Sequence, residues 1–207
     1  MKKSLIIFLL LIVGLANGQV YKRHYKITSD KKDVGYLTAT KRHDGNVTKF
    51  EISSDVTIRV LFKVQMTNKI LAVFEDGVLQ YSTAILYVNG SIYSDTRIKK
   101  GNGFYTIEKD GRESKIYAGE IRSSSAKLYF HEPIGEEISL SETEGEIKEL
   151  DIQGVQKYAL SENGSERSVS TYIYSPNEGL NQIEVIRPFV PELYIYRVRD
   201  QSGIRMD

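Results

Sequence analysis

The chain has 207 residues, with 28 Lys and Arg against 27 Asp and Glu and a formal net charge of +1. That balance argues against nucleic acid or an anionic membrane surface as the main partner. There is no cysteine, so the fold cannot rest on disulfides and must be stabilised by its own core.

The N-terminus has the three parts of a secretory signal peptide. Lys2 and Lys3 precede an apolar run from Leu5 to Val13, and Ala16-Asn17-Gly18 supplies small residues before a cut. A membrane anchor would need about 20 mainly apolar residues, and this run meets Asn17 and Gln19 too soon. Cleavage between Gly18 and Gln19 is predicted. Residues 1–18 are then lost, and residues 19–207 form one domain that does not span a membrane, in the periplasm or outside the cell. No cysteine follows the apolar run, which excludes a lipid-modified bacterial N-terminus. Without Lys2 and Lys3 the charge balance falls to a net of −1.

From Gln19 onward, apolar residues alternate with polar ones and Asp-Gly or Asn-Gly pairs punctuate the pattern. Strands are predicted at 20–28, 35–42, 47–54, 56–66, 69–75, 78–88, 91–98, 103–109, 113–121, 127–131, 142–150, 155–161, 167–174, 181–187 and 193–199. In the clearest, Val56, Ile58, Val60, Phe62, Val64 and Met66 share one face, which only a two-residue period achieves. Asp44-Gly45, Asp76-Gly77, Asn89-Gly90, Asp110-Gly111 and Asn163-Gly164 fit tight hairpins, because these residues tolerate the positive φ such turns require. Asn46, Asn89 and Asn163 also begin Asn-x-Ser/Thr triplets. No window shows sustained helical spacing. Residues 70–74 and 84–88 are apolar on both faces, which points away from a flat sheet with one wet face. The expected fold is an all-β antiparallel meander, closed into a sandwich or a strongly curved, partly closed barrel.

Between Glu132 and Asp151 acidic residues dominate. On a strand over 142–150, Glu142, Glu144 and Glu146 would share one face. Same-face neighbours on a strand stand about 7 Å apart, too spread for a calcium site, so the row is predicted to be a solvated edge that discourages pairing. His24, His43 and His131 lack metal-ligand spacing. His131-Glu132 is the one adjacent acid-base pair, and no nucleophile elbow or oxyanion motif accompanies it. Ser123-Ser124-Ser125 resembles a turn. No catalytic residue, metal ligand or cofactor is predicted, and the chain is expected not to be an enzyme.

Tyrosine occurs 14 times beside 7 Phe and no Trp. Tyr172 with Tyr174, Tyr194 with Tyr196, and Tyr21 with Tyr25 share strand faces. Such rows could line a groove for a sugar or lipid, although half-buried strand pairing explains them as well. The two prolines of Arg187-Pro188-Phe189-Val190-Pro191 are expected to break the ladder before the last strand.

Gly35-Tyr36-Leu37-Thr38-Ala39-Thr40-Lys41, Phe74-Glu75-Asp76-Gly77-Val78-Leu79, and Leu128-Tyr129-Phe130-His131-Glu132-Pro133 followed by Ser141-Glu142-Thr143-Glu144-Gly145 resemble an uncharacterised family of exported Bacteroidota proteins. The resemblance implies a curved all-antiparallel sheet in a Gram-negative envelope and carries no activity with it. Three functions follow in order. The first is a non-enzymatic exported protein that holds a lipid or other apolar or amphipathic ligand, or an envelope protein partner, on its curved sheet. The second is a small outer-membrane β-barrel, and the third is an envelope hydrolase without a recognisable motif.

Overall fold

The computed structural model describes residues 19–59, 62–162, 165–176, 179–187 and 190–199, and these are mostly strand. The signal segment with its Gly18 cut, together with Val60, Asn163-Gly164 and Pro188-Phe189, lies outside the described residues.

β1 (Gln19–Ser29), β2 (Lys32–Asp44), β3 (Val47–Arg59), β4 (Lys63–Glu75), β5 (Val78–Val88), β6 (Ser91–Lys100), β7 (Tyr105–Lys109) and β8 (Arg112–Tyr117) form one antiparallel meander. A crossover containing the four-residue helix α1 (Ser125–Leu128) leads into a second meander. Its strands are β9 (Ile138–Ser141), β10 (Glu146–Gly154), β11 (Lys157–Glu162), β12 (Ser165–Ser175), β13 (Gly179–Arg187) and β14 (Val190–Val198). β14 returns to pair with β1, Ile27 opposite Ile195 and Tyr25 opposite Arg197. The first and last described strands therefore sit side by side inside the sheet, and its edges are the mid-chain strands β8 and β9.

The expected all-β antiparallel meander with little helix is what forms, as one strongly curved 14-stranded sheet among the described residues. The sandwich alternative gives way. Ile70, Ala72 and Phe74 of β4 are buried on the concave face, whereas Leu71, Ile85 and Tyr87 on the other face are only half-buried. A sheet in either arrangement has one inner face; what replaces two packed sheets with a single curved one is that all 14 described strands run in one continuous order from β8 to β9. Its core joins Tyr25, Ile27, Phe50, Ile52, Phe74, Ile98, Ile107, Tyr172 and Ile183 from both meanders.

Three predicted turns are present with positive φ at both residues: Asp76-Gly77 (50° and 76°), Asn89-Gly90 (50° and 82°) and Asp110-Gly111 (54° and 75°). A fourth of the same kind, Asp30-Lys31 at 48° and 63°, contains no glycine. The predicted strand 56–66 is corrected. β3 ends at Arg59 and β4 begins at Lys63, with Val56 opposite Met66 and Ile58 opposite Val64. Residues of the same parity face each other across this hairpin, so the alternation runs through the turn without a break. Exposed Phe62 lies in the connection.

The predicted strand 127–131 is the end of α1 and the turn after it. Ser124 is the N-cap, its side chain accepting from Lys127 N. The predicted strand 142–150 also divides: residues 142–145 are the turn between β9 and β10, which pair Ser141 with Glu146. At the proline segment the ladder is kept, with β13 and β14 pairing as far as Arg187 and Val190.

The crossover between β8 and β9 packs against the concave face, where Ile121, Ala126, Leu128 and Tyr129 join the core. A buried non-strand segment must satisfy its backbone locally, and tyrosine does much of this. Tyr174 Oη donates to Leu128 O at 2.8 Å and is 3.1 Å from His131 O. Tyr105 Oη donates to Leu79 O at 2.7 Å, while Leu79 N donates to Ile121 O at 2.9 Å. Arg23 Nη1 donates to Tyr129 O at 2.5 Å. Four of the tyrosines, Tyr25, Tyr105, Tyr158 and Tyr174, are thus apolar plates whose hydroxyls bond the crossover.

Candidate functional site

The curved sheet encloses a cavity of about 800 Å3, within the size range of small-molecule sites. One wall is apolar, formed by Ile27, Leu37, Ile52, Ile70, Leu160 and Ile195. These residues come from β1 to β4, β11 and β14, and alternation directs each of them inward.

Facing that wall is a polar cluster built by the β9–β10 turn and the end of β13. Glu144 of the turn forms an ion pair with Lys148 of β10, and its Oε1 lies 3.4 Å from Nη2 of Arg187. Lys148 is 3% exposed. Burial alone would raise the Glu144 carboxyl, but the contact with Lys148 and then the charge of Arg187 outweigh it and hold the group below its ordinary value. The turn is fixed from the other meander: Thr96 Oγ1 donates to Thr143 O (3.2 Å), Asn68 Nδ2 to Thr143 Oγ1 (3.2 Å) and Lys109 Nζ to Glu144 O (3.2 Å). Gly145, at φ +66°, lies where an added Cβ would stand 3.1 Å from side-chain carbons of Ile107 and Thr96, so a larger residue would be strained there and would press on both.

The cavity-lining cations Lys109, Lys148 and Arg187 outnumber the lining carboxylates Asp110 and Glu144. Asn68 Oδ1 and Ser94 Oγ, also at the cavity, are buried without a hydrogen-bond partner. Such groups are costly to leave unmade; the Ser94 hydroxyl can donate to a ligand's polar end, whereas Asn68 Oδ1 can only accept from a donor. The arrangement suits a molecule with an apolar body and one negatively charged end.

The acidic row is not formed as predicted. Glu142 is fully buried, accepts from Ser125 Oγ and Ala126 N (3.3 Å), and its carboxyl is raised by desolvation. Glu144 belongs to the cavity, and Glu146 opens β10. The edge-protection reading is therefore corrected for Glu142 and Glu144: the connection turns inward, and both carboxylates meet partners there. Among the described residues no group of three or more His, Asp or Glu could hold a metal ion.

The histidines stay apart. His24 Nδ1 contacts Thr38 Oγ1 at 3.3 Å and His43 Nδ1 contacts Thr48 Oγ1 at 2.9 Å. His131 Nε2 is 2.9 Å from Lys41 Nζ, whereas Glu132 accepts from Tyr158 Oη at 2.8 Å. His131 and Glu132 thus have different partners and form no acid-base pair. Ser123 and Ser124 are buried, with Ser123 bonded to Ser139 Oγ at 3.1 Å. Of the tyrosine rows, Tyr172 reaches the cavity, Tyr174 binds the crossover and Tyr25 is core, while Tyr194 and Tyr196 stack at 6.3 Å on the outer face. Sequence reasoning missed Lys148, Arg187, Asn68 and Ser94 as one cluster. The available signal was charge at inward-facing strand positions, which required the register to be known.

A single curved sheet around an amphipathic cavity defines a β-barrel-like protein. A family model described as Domain of unknown function (DUF6134) matches residues 25–186, and the chain belongs to that family. The fold is similar to the crystal structure of a beta-barrel-like protein of Domain of Unknown Function DUF1849 from Brucella abortus. The TM-score is 0.55 at 8% identity, over 86% of this chain and 95% of that one. No curated protein matches significantly.

Proposed function

We propose that this is a non-enzymatic, exported binding protein, periplasmic or secreted, which holds an amphipathic acid inside its curved sheet. The apolar body would lie along Ile27, Leu37, Ile52 and Ile195, and the anionic end would meet Arg187 and Lys148. The observation that carries the reading is the joint lining of one cavity by an aliphatic wall and a cluster where Lys148 and Arg187 share Glu144. Export rests on the Lys2-Lys3, Leu5–Val13 and Ala16–Gly18 pattern; the Bacteroidota envelope rests on the family resemblance.

The convex face supports a chain that does not span a membrane. Lys22, His24 and Lys49 are exposed there, and Lys26–Asp33 and Arg42–Glu51 pair across it. A transmembrane barrel presents an apolar band to lipid instead. No helix among the described residues is long and apolar enough to cross a membrane.

Titration with a fluorescent long-chain fatty acid tests the proposal. Saturable one-to-one binding is expected, weakened about tenfold, or roughly 1.4 kcal/mol, in Arg187→Gln. Binding should be lost to the uncharged alcohol of the same chain length. No saturable binding, or equal affinity for acid and alcohol, contradicts the reading.

A further inference from the structure

A second concavity, of about 350 Å3, opens at the rim of the sheet between the β2–β3 and β4–β5 hairpin ends, and shares no lining residue with the interior cavity. Its basic and aromatic lining comes from Tyr21, Lys41, His43, Phe50, Phe74 and Lys127, with His131 above them. No carboxylate among the described residues lines it. Lys41 Nζ is seated over the Tyr21 ring at 5.7 Å and Lys127 Nζ over the Phe74 ring at 5.4 Å. Arg23 lies close behind, its guanidinium 5.0 Å from the Phe130 ring centre.

The imidazole accepts from Lys41, because an ammonium can only donate. Its proton is therefore on Nδ1, which leaves a neutral donor beside the two ammoniums. All three groups are displaced toward their uncharged forms. Desolvation lowers Lys41 with help from Arg23, and lowers Lys127 with Arg122 and Lys41 adding to it and Glu136 opposing. His131 is pushed down to about 4 by desolvation against its neighbours, then by the charges of Lys41, Lys127 and Arg23. Of the acidic groups near the imidazole, Glu132 is committed to Tyr158, whereas Glu136 acts on the site itself through Lys127. Among the described residues, positive charge exceeds negative in this concave, aromatic-walled site, with Glu136 the carboxylate that acts on Lys127.

We propose that this rim pocket is an oxyanion site that takes a phosphoryl group, held by Lys41, Lys127 and the His131 imidazole, with the Thr48 hydroxyl within the same lining. A phosphate monoester carries a charge of about −1.5 to −2 at neutral pH and offers three strong acceptor oxygens. That matches two ammoniums and an imidazole better than a single carboxylate does. The shared chemistry admits free phosphate compounds and phospholipid headgroups. The site is independent of the interior cavity and stands whether or not that cavity holds an acid.

The test is a titration with inorganic phosphate at constant ionic strength, followed through the His131 imidazole by 1H–15N NMR. The expected result is a saturable shift, with the His131 pKa rising from about 4, since a bound anion favours the imidazolium. Affinity should fall at least tenfold in Lys41→Gln and in Lys127→Gln and be retained in Lys41→Arg, which keeps the charge. Phosphatidic acid vesicles, whose headgroup is itself a phosphate monoester, competing with phosphate where phosphatidylcholine vesicles do not, would assign the group to a headgroup; absence of competition would assign it to a free phosphate compound. A shift that does not saturate, is reproduced by chloride, or persists unchanged in both Gln variants overturns the proposal.

Discussion

Tyr174 shows how single side chains make a buried crossover tolerable. Its ring packs edge-on against Tyr158 at 5.8 Å, and its hydroxyl serves the carbonyls of Leu128 and His131. Tyr174→Phe keeps the packing but leaves buried carbonyls with fewer partners. Chemical denaturation should show a loss of about 1–3 kcal/mol, and a change under a few tenths would mean that the hydroxyl does not hold the crossover. Asp30-Lys31 teaches a different lesson at the same scale. The turn uses positive φ at a lysine, so a search for glycine pairs passes over it while the flanking strands still mark it.

Among the elements, the β9–β10 hairpin is where the sequence misled most. Eight acidic residues against one lysine between 132 and 151 read as a wet strand because composition carries no information on direction. In the structure Glu142 turns inward to Ser125 and the backbone of α1, and Glu144 to Lys148 and Arg187. These partners are distant in sequence or reachable only once the turn is placed. The β3–β4 hairpin was hidden for another reason: matching parity on its two arms continues the alternation through the turn. Strand character, the type of the Asp76-Gly77, Asn89-Gly90 and Asp110-Gly111 turns and the curved all-β class were legible, because local period and turn chemistry set them, whereas Asp44 ends β2 and leaves its turn to Gly45-Asn46. The polar cluster of the cavity was not, because it depends on register between strands far apart in the chain.

The buried Glu142 carboxyl makes a pH prediction for that hairpin. Its folded pKa is raised above its ordinary value by desolvation, against the hydrogen bonds from Ser125 and Ser124. The native state therefore holds the proton more tightly than the unfolded chain does. This contribution to stability is present at low pH and is lost as pH rises through the folded pKa. Denaturation at about pH 5 and about pH 8 should show wild type losing more stability on going to the higher pH than Glu142→Gln does. Equal losses in the two proteins would contradict the assignment.

At the scale of the whole molecule, the topology explains why a cavity exists. Two meanders joined by β1 and β14 curve toward each other, and the crossover and the β9–β10 turn fill only part of the enclosed space. What remains is aliphatic on one side and cationic on balance on the other. The fold shared with the DUF1849 protein is the frame for that cavity, while its chemistry belongs to Lys148, Arg187, Asn68 and Ser94 of this chain. Native mass spectrometry of the protein purified from its natural source, without detergent or organic solvent, would reveal an occupant of this cavity. A stoichiometric bound species with the mass of an amphipathic acid is expected, absent from Ser94→Phe, whose ring would intrude on the cavity. A bare polypeptide mass in wild type, with no adduct after incubation with long-chain acids, would contradict that expectation.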